Sequence, residues 1–311
     1  MSGQVVVITG GVGGAKLVLG LMQAMPPERI VAIVNTGDDF EHLGLWVSPD
    51  IDTLLYTLSG KANKAQGWGR EGETWSFMDT VRSLGGEDWF ALGDGDLALH
   101  ILRTASRARG EPLSAITARF ARAWGLAPTI LPMSDDPVAT VLDTDEGELA
   151  FQSYFVARRC MPIVRGIAFR GAAKARPGPG VCEAILAAET EAILIAPSNP
   201  YLSVDPVLAV PGIAAALASA RAPIVAVSPI VCGAAVKGPT AKLMRELGIP
   251  VTPRAIADHY HGVIDAMLVD ERDTAGDLNF THLTCDTLMT TLADRRRVAE
   301  AALELARRIA T

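Results

Sequence analysis

Basic residues are the minority in this 311-residue sequence: 28 Lys+Arg face 35 Asp+Glu, a formal charge of −7. Without a basic excess the chain lacks the footprint that a nucleic-acid backbone or an anionic membrane surface requires, so neither is expected as a partner. An anionic ligand must instead be held by backbone amides, a few cations or a metal. Cysteine is equally scarce. Cys160, Cys182, Cys232 and Cys285 stand far apart with no C-x-x-C pair, which argues against a disulfide framework or a zinc site and for a reducing cytosol. No charged segment of signal-peptide type precedes the apolar run at residues 5–8, so no secretory leader is expected. The most apolar stretch, about 204–236, is broken by Asp205, Pro206, Pro211, Arg221, Pro223 and Pro229, which reads as strand, loops and helix and not as a membrane span. Charged residues at 20% and hydrophobic ones at 49% then describe a globular, cytoplasmic protein able to bury a sizeable core.

Residues 5–9 form a short β-branched run followed at once by glycines, residues 15–25 carry apolar side chains at helical spacing until Pro26-Pro27, and residues 30–34 form a second β-branched run. Strand, glycine turn, helix, strand is the opening βαβ unit of a parallel sheet, and continuous apolar strands suit a sheet covered on both faces. Two later strands are expected at 192–195 and 224–227, with helices at about 212–220, 240–247 and 294–310. The middle, about 67–176, is different. It shows helical stretches at 97–109 and 113–124 and strand-like alternation at 138–155, and is expected to be a mainly helical insertion over the crevice of a single 1–311 α/β domain.

Five segments could carry chemistry. Gly10-Gly11-Val12-Gly13-Gly14-Ala15-Lys16 joins the first strand to the first helix, where backbone amides and the helix N-terminus favour a phosphate. It fits neither G-x-G-x-x-G, since Lys16 takes the last position, nor a Walker A loop; a plain tight turn is the alternative. After the second strand, Asn35-Thr36-Gly37-Asp38-Asp39 and Ser48-Pro49-Asp50-Ile51-Asp52-Thr53 place four carboxylates where open α/β sheets bind ligands. Beside a phosphate loop they suggest Mg²⁺ on Asp50 and Asp52; a helix cap is the bland alternative. Gly93-Asp94-Gly95-Asp96 with His100 sets Asp96 and His100 one turn apart, and Asp94 is a further candidate metal ligand; a capped helix with a partly buried histidine is the commoner outcome of such a segment. Ser134-Asp135-Asp136, Ser198-Asn199-Pro200 and Ser228-Pro229 lie in turns between apolar segments, the last two at strand ends that could line the same crevice. Lys237 and Lys242 could meet a phosphate or simply solvate a helix start, and Trp68 and Trp75 could stack on a ring, although tryptophans are more often packed.

Taken in order, these segments resemble the 2-phospho-L-lactate transferase family of coenzyme F-420 biosynthesis. The match runs from Gly10-Gly11-Val12-Gly13-Gly14 through Asn35-Thr36-Gly37-Asp38-Asp39, Ser48-Pro49-Asp50-Ile51-Asp52-Thr53, Gly67-Trp68-Gly69, Leu92-Gly93-Asp94, Pro132-Met133-Ser134-Asp135-Asp136, Ala196-Pro197-Ser198-Asn199-Pro200 and Ser228-Pro229-Ile230 to Asp286-Thr287-Leu288-Met289. The resemblance implies a Rossmann-like, mostly parallel sheet with helices on both faces and an added lobe. It implies a Mg²⁺-dependent enzyme that takes a phospho-acid from a guanosine-diphosphate-linked donor to the ribityl hydroxyl of 7,8-didemethyl-8-hydroxy-5-deazariboflavin, releasing GMP, in a homodimer. Asp52 matches an aspartate used toward the deazaflavin, so Asp50 and Asp52 are the expected catalytic pair. Gly10, Gly11, Gly13, Gly14, Lys16, Asn35, Thr36, Asp38, Asp39, Ser134, Asp135, Ser198, Asn199 and Ser228 are expected at the substrates.

Two positions depart from the family's pattern: Gly95 stands where an arginine is common, and Ala91 where a basic residue often precedes it. A related branch binds nucleotide sugars and regulates carbon metabolism without this transfer. Ser48-Pro49-Asp50-Ile51-Asp52 and Gly67-Trp68-Gly69 favour the transferase. A dinucleotide-dependent oxidoreductase is disfavoured by the broken fingerprint and by Asn35 at the end of the second strand, where an acid is expected.

Overall fold

The computed structural model describes residues 3–63, 65–236, 238–273 and 278–310. Seven strands build its central sheet: β1 (Gln4–Thr9), β2 (Ile30–Val34), β3 (Thr129–Pro132), β4 (Thr190–Ile195), β5 (Ile224–Val227), β6 (Ala266–Asp270) and β7 (His282–Cys285). Their order is β7-β6-β5-β4-β1-β2-β3, and every neighbouring pair is parallel. The helices that matter for the site are α1 (Gly11–Ala24), α2 (Pro49–Leu58), α3 (Leu97–Ala108), α4 (Leu113–Ala123) and α5 (Leu292–Ile309).

The period-two geometry of a strand explains why β1 is apolar at every position. Val5 and Val7 face one layer, with Leu17, Val18 and Leu21 of α1, Leu54 of α2 and Leu303 of α5. Val6 and Ile8 face the other, with Val181, Ile185, Ile213 and Leu217. Each fully buried Val, Leu or Ile contributes roughly 1.5–3 kcal/mol, so helices on both faces are what a run such as Val-Val-Val-Ile demands. The α/β reading therefore holds. Helix α1 begins earlier than its apolar spacing indicates, at Gly11, because its first turn is built from the glycines themselves. It stops at Ala24, and Met25 is already extended ahead of Pro26. Helix α5 opens with a capping box: the Asp294 amide donates to Thr291 Oγ1 at 3.1 Å and the Thr291 amide to Asp294 Oδ2 at 2.7 Å.

The middle segment is mixed. Within 67–176 lie Ser76–Ser83, α3 and α4, but also β3, which pairs with β2, and an antiparallel sheet of Ala139–Thr144, Gly147–Ala150 and Val164–Arg170. The strand-like alternation toward Phe155 ends early: Ser153–Ala157 is a π-type turn, which stacks Phe155 on Phe151 with ring centroids 5.3 Å apart. Among the described residues no single helix is long and apolar enough to cross a membrane.

Candidate active site

Chain connections run outward in opposite directions from β1 and β4, which are neighbours in the sheet. Ligands of open α/β sheets bind above the strand ends at such a switch point. A cavity of about 760 Å³ lies there. Its floor is the glycine loop (Gly10, Gly11, Val12, Gly13) and the loop after β4 (Pro197, Ser198, Asn199). Its walls include Asp38, Asp50, Asp52 and Asp96, Trp68, the neighbouring rings of Trp89 and Phe90, and the stacked rings of Phe151 and Phe155.

The two floor loops are fastened together. Ser198 Oγ donates to the Gly10 carbonyl at 2.7 Å and accepts from the Gly10 amide at 3.2 Å. A Cβ at Gly13 would stand 2.6 Å from the Pro197 carbonyl oxygen, so only glycine lets the head of α1 dock this closely. The Gly11 amide donates to Asp50 Oδ1 at 2.7 Å, while Asn35 Nδ2 donates to Asp50 Oδ2 at 2.9 Å. Asp50, at the start of α2, thus ties the glycine loop to the end of β2, with its carboxylate at the positive end of α1.

Three buried acids crowd this corner. Burial pushes the Asp50 carboxyl up to about 6, even though the Asn35 and Gly11 hydrogen bonds pull it down. Burial and then the charge of Asp50 hold Asp38 well above the usual carboxylate range. Burial raises Asp39 to about 7 against the Ser48 hydrogen bond and the Arg103 charge. Among the described residues, Asp38 Oδ1 and Asp39 Oδ1 are buried without a hydrogen-bond partner. Buried, like-charged and incompletely bonded carboxylates are stabilised by protons or by a cation.

The sign of the pH effect follows. A carboxyl whose folded-state pKa is raised keeps a proton that the unfolded chain releases, so stability falls as pH rises from the ordinary carboxylate range through about 6 for Asp50 and about 7 for Asp39. In the presence of a chelator, calorimetry is expected to show stability falling by on the order of 3 kcal/mol between pH 5 and pH 8. For a chain of this length that is a drop of roughly 5–10 °C in Tm. A flat or rising Tm over that range would contradict these assignments.

Asp52 is held differently. Arg103 of α3 grips both its oxygens, with Nη2 on Oδ1 and Nη1 on Oδ2, the latter at 3.1 Å. His100 Nδ1 lies 3.8 Å from Asp52 Oδ2, and His100 Nε2 lies 3.0 Å from Asp96 Oδ2. The Tyr56 hydroxyl donates to Asp96 Oδ1. Burial raises the Asp96 carboxyl, but the His100 and Tyr56 hydrogen bonds and the Arg103 charge outweigh it and hold the group below the usual range. Asp52, Asp96 and His100 bring their ligand atoms within 4.8 Å of one another, yet Arg103 already supplies the positive charge.

The chain matches the family described as 2-phospho-L-lactate transferase CofD across residues 5–306. It belongs to that family. It is 41% identical over 317 aligned residues to a phosphoenolpyruvate transferase of Streptomyces coelicolor, covering 98% of this chain and 99% of that one. It is 38% identical over 300 to a 2-phospho-L-lactate transferase of Methanosarcina mazei, covering 95% and 98%. A solved structure of an upf0052 family member from Bacillus halodurans shares the fold, with a TM-score of 0.63 over 97% of this chain and 100% of that one at 19% identity.

In this CofD-type transferase the structure gathers many of the residues singled out from sequence. Gly10, Gly11, Gly13, Lys16, Asp38, Asp50, Asp52, Ser198, Asn199 and Ser228 all line the cavity. Lys16 Nζ donates to the Met289 carbonyl at 2.7 Å. Asn199 Oδ1 accepts from the Tyr201 and Leu202 amides, and its Nδ2 is buried without a partner among the described residues. Gly14 and Asn35 are outside the lining but touch it, Gly14 against Ser198 Oγ and Asn35 through its bond to Asp50; Thr36 and Asp39, expected at the substrates, instead line a separate small pocket with Ser134 and Asp135. Others serve the scaffold. Asp135 accepts from the Ser114 amide and hydroxyl, both at 2.7 Å, at the start of α4. Ser134 Oγ donates to the Arg176 carbonyl. Asp94, expected as a metal ligand, accepts instead from Thr74 Oγ1, the Ser76 amide and the Phe77 amide at the head of Ser76–Ser83. Asp52, also expected on the metal, has Arg103 across both oxygens. Trp75 packs in a separate apolar cluster with Val47, Met78 and Leu92. Lys242 Nζ donates to the Pro162 carbonyl, and Lys237 lies outside the described residues. Arg103 and Tyr56 escaped the sequence reading. Arg103 could have been found, since Asp96, His100 and Arg103 follow one another at i, i+4 and i+7 on one helical face.

Proposed function

We propose that this transferase moves a phospho-acid (2-phospholactyl, phosphoenolpyruvyl or phosphoglyceryl) from a guanosine-diphosphate-linked donor to the terminal ribityl hydroxyl of 7,8-didemethyl-8-hydroxy-5-deazariboflavin, releasing GMP. The observation that carries the reading is the meeting of glycine loop, buried acids and aromatic walls in one cavity. A helix terminus suited to a phosphate, an acid pair suited to a cation and apolar surface suited to rings support it. The family membership and the names of the relatives support it.

In the reaction a bond forms from the acceptor oxygen to the phosphorus bearing the acid, and the bond from that phosphorus to the bridging oxygen breaks. GMP leaves with the electron pair. Catalysis of such a loose displacement is mainly positioning and charge neutralisation. The chain's residues fit a divalent cation: Asp50 and Asp38 face the cavity, and Asp38 Oδ1 has no hydrogen-bond partner among the described residues. They are the residues that would hold Mg²⁺, which when bound neutralises diphosphate charge. Asp52 orients the acceptor hydroxyl. Arg103 fixes its two oxygens, and a carboxylate retains lone pairs for a further donor. The proton released as the new bond forms passes through this carboxylate to solvent.

The test is incubation with the deazaflavin, Mg²⁺ and each of the three guanylated donors, followed by mass analysis. A product heavier than the deazaflavin by one phospho-acid, with stoichiometric GMP, is expected for at least one donor. No transfer with any donor, together with tight binding of UDP-sugars, overturns the reading in favour of a nucleotide-sugar-binding regulator.

A further inference from the structure

Resting on the donor assigned above, we propose that Arg70 is a specificity-determining residue that receives the carboxylate of the donor's three-carbon acid. The cavity lining carries Asp38, Asp50, Asp52 and Asp96, and among the described residues its Lys or Arg is Lys16, on the glycine-loop helix. A carboxylate entering beside Asp96 needs a second cation.

Arg70 is not itself among the lining residues but stands beside that place. It follows Gly67, Trp68 and Gly69, which line the cavity, in a turn closed by the Asn63 amide on the Gly69 carbonyl at 3.0 Å and the Glu71 amide on the Lys61 carbonyl at 2.7 Å. Its guanidinium lies over Gly95, the neighbour of Asp96, and occupies the space a side chain would take: a Cβ built at Gly95 would overlap Arg70 Nη1. The side chain is 32% exposed. Among the described residues its one hydrogen bond goes from Nη1 to Glu73 Oε1 at 3.2 Å, while Glu73 Oε2 accepts the Gly95 amide at 2.6 Å. Glu73 thus pins the guanidinium over Gly95 through one nitrogen. A guanidinium has five N–H donors in a planar fork, so an edge remains for a carboxylate, whose two oxygens match that fork.

The experiment is calorimetric titration and steady-state kinetics on the full chain, with the three guanylated donors and with GDP, which lacks the carboxylate. Arg70→Gln is expected to weaken donor binding and raise donor KM roughly tenfold, with GDP affinity, acceptor KM and kcat nearly unchanged and a lowered Tm, because the buried Glu73 carboxylate loses its counter-charge. Arg70→Lys falls between. Glu73→Gln keeps the cation and removes its fixed partner, so it leaves donor affinity as high or higher. The proposal is overturned if GDP weakens as much as the donors, if Glu73→Gln copies Arg70→Gln, if donor KM does not move, or if the wild type binds donors no better than GDP. Loss of a donor preference over GDP in Arg70→Gln, in a protein that transfers nothing, supports Arg70 while sinking the transfer reaction. Robust transfer unaffected by Arg70→Gln does the reverse.

Discussion

Asp50→Asn is expected to lower transfer by roughly 10³-fold or more while the protein stays folded. The substitution removes the charge that faces the cavity beside Asp38 but keeps an oxygen for the Gly11 amide, so the loop can stay in place. What disappears is an anionic oxygen that would hold the cation at the diphosphate, and the loss of one preorganised electrostatic partner at a charge-developing centre is of that order, about 4 kcal/mol. Because burial is the main reason Asp50 sits at about 6, the neutral amide also removes a desolvation penalty from the metal-free fold. Single-turnover assays with saturating Mg²⁺, alongside circular dichroism and thermal melts, check both halves. Near-normal transfer by the Asp50→Asn enzyme would remove this carboxylate from the chemistry. The wild-type rate should also fall as pH drops below about 6, where Asp50 takes up a proton, with added Mg²⁺ moving that limb to lower pH.

The second large effect is on stability. Arg103 is 1% exposed and is bound to both oxygens of a buried aspartate, with a further bond from Nη1 to the Trp46 carbonyl at 3.3 Å. Burial disfavours its charge, but Asp52 outweighs that and holds the guanidinium above its ordinary pKa. Arg103→Met strands the Asp52 carboxylate in a dry environment without its counter-charge. Breaking one side of such a pair costs about 3–5 kcal/mol, roughly 10 °C or more in Tm for a chain of this size. Adding Asp52→Asn to Arg103→Met should recover a large part of that stability but none of the activity, and a double-mutant cycle in denaturant melts isolates the pair. If Arg103→Met alone melts like the wild type, the two side chains do not form this pair in solution.

The opening βαβ unit was legible because its causes are local. Four β-branched residues in a row, bounded by turn residues, suit a strand covered on both faces, and glycines between strand and helix mark a backbone that must approach something closely. β4 and β5 were legible for the same reason. β3 and β7 were not: they are four-residue edge strands, and the partly exposed His-Leu-Thr-Cys of β7 carries no apolar run. β6, Ala-Met-Leu-Val-Asp and wholly buried, has a strand's composition, but it is short and lies among turn residues.

The acids tell the same story at the site. That Asp38, Asp39, Asp50 and Asp52 cluster beyond the second strand could be read from their short separation along the chain. Their separate tasks could not. Asp52 meets an arginine 51 residues away, Asp50 caps a loop 39 residues back, and Asp94 turns aside to a helix head 18 residues upstream. Composition and periodicity report what a residue does to its own few neighbours, which is enough for strands, turns and the sign of local charge. A carboxylate's role depends on which distant donor is brought to each of its oxygens, and that is settled when helices α1, α2 and α3 pack over the strand ends.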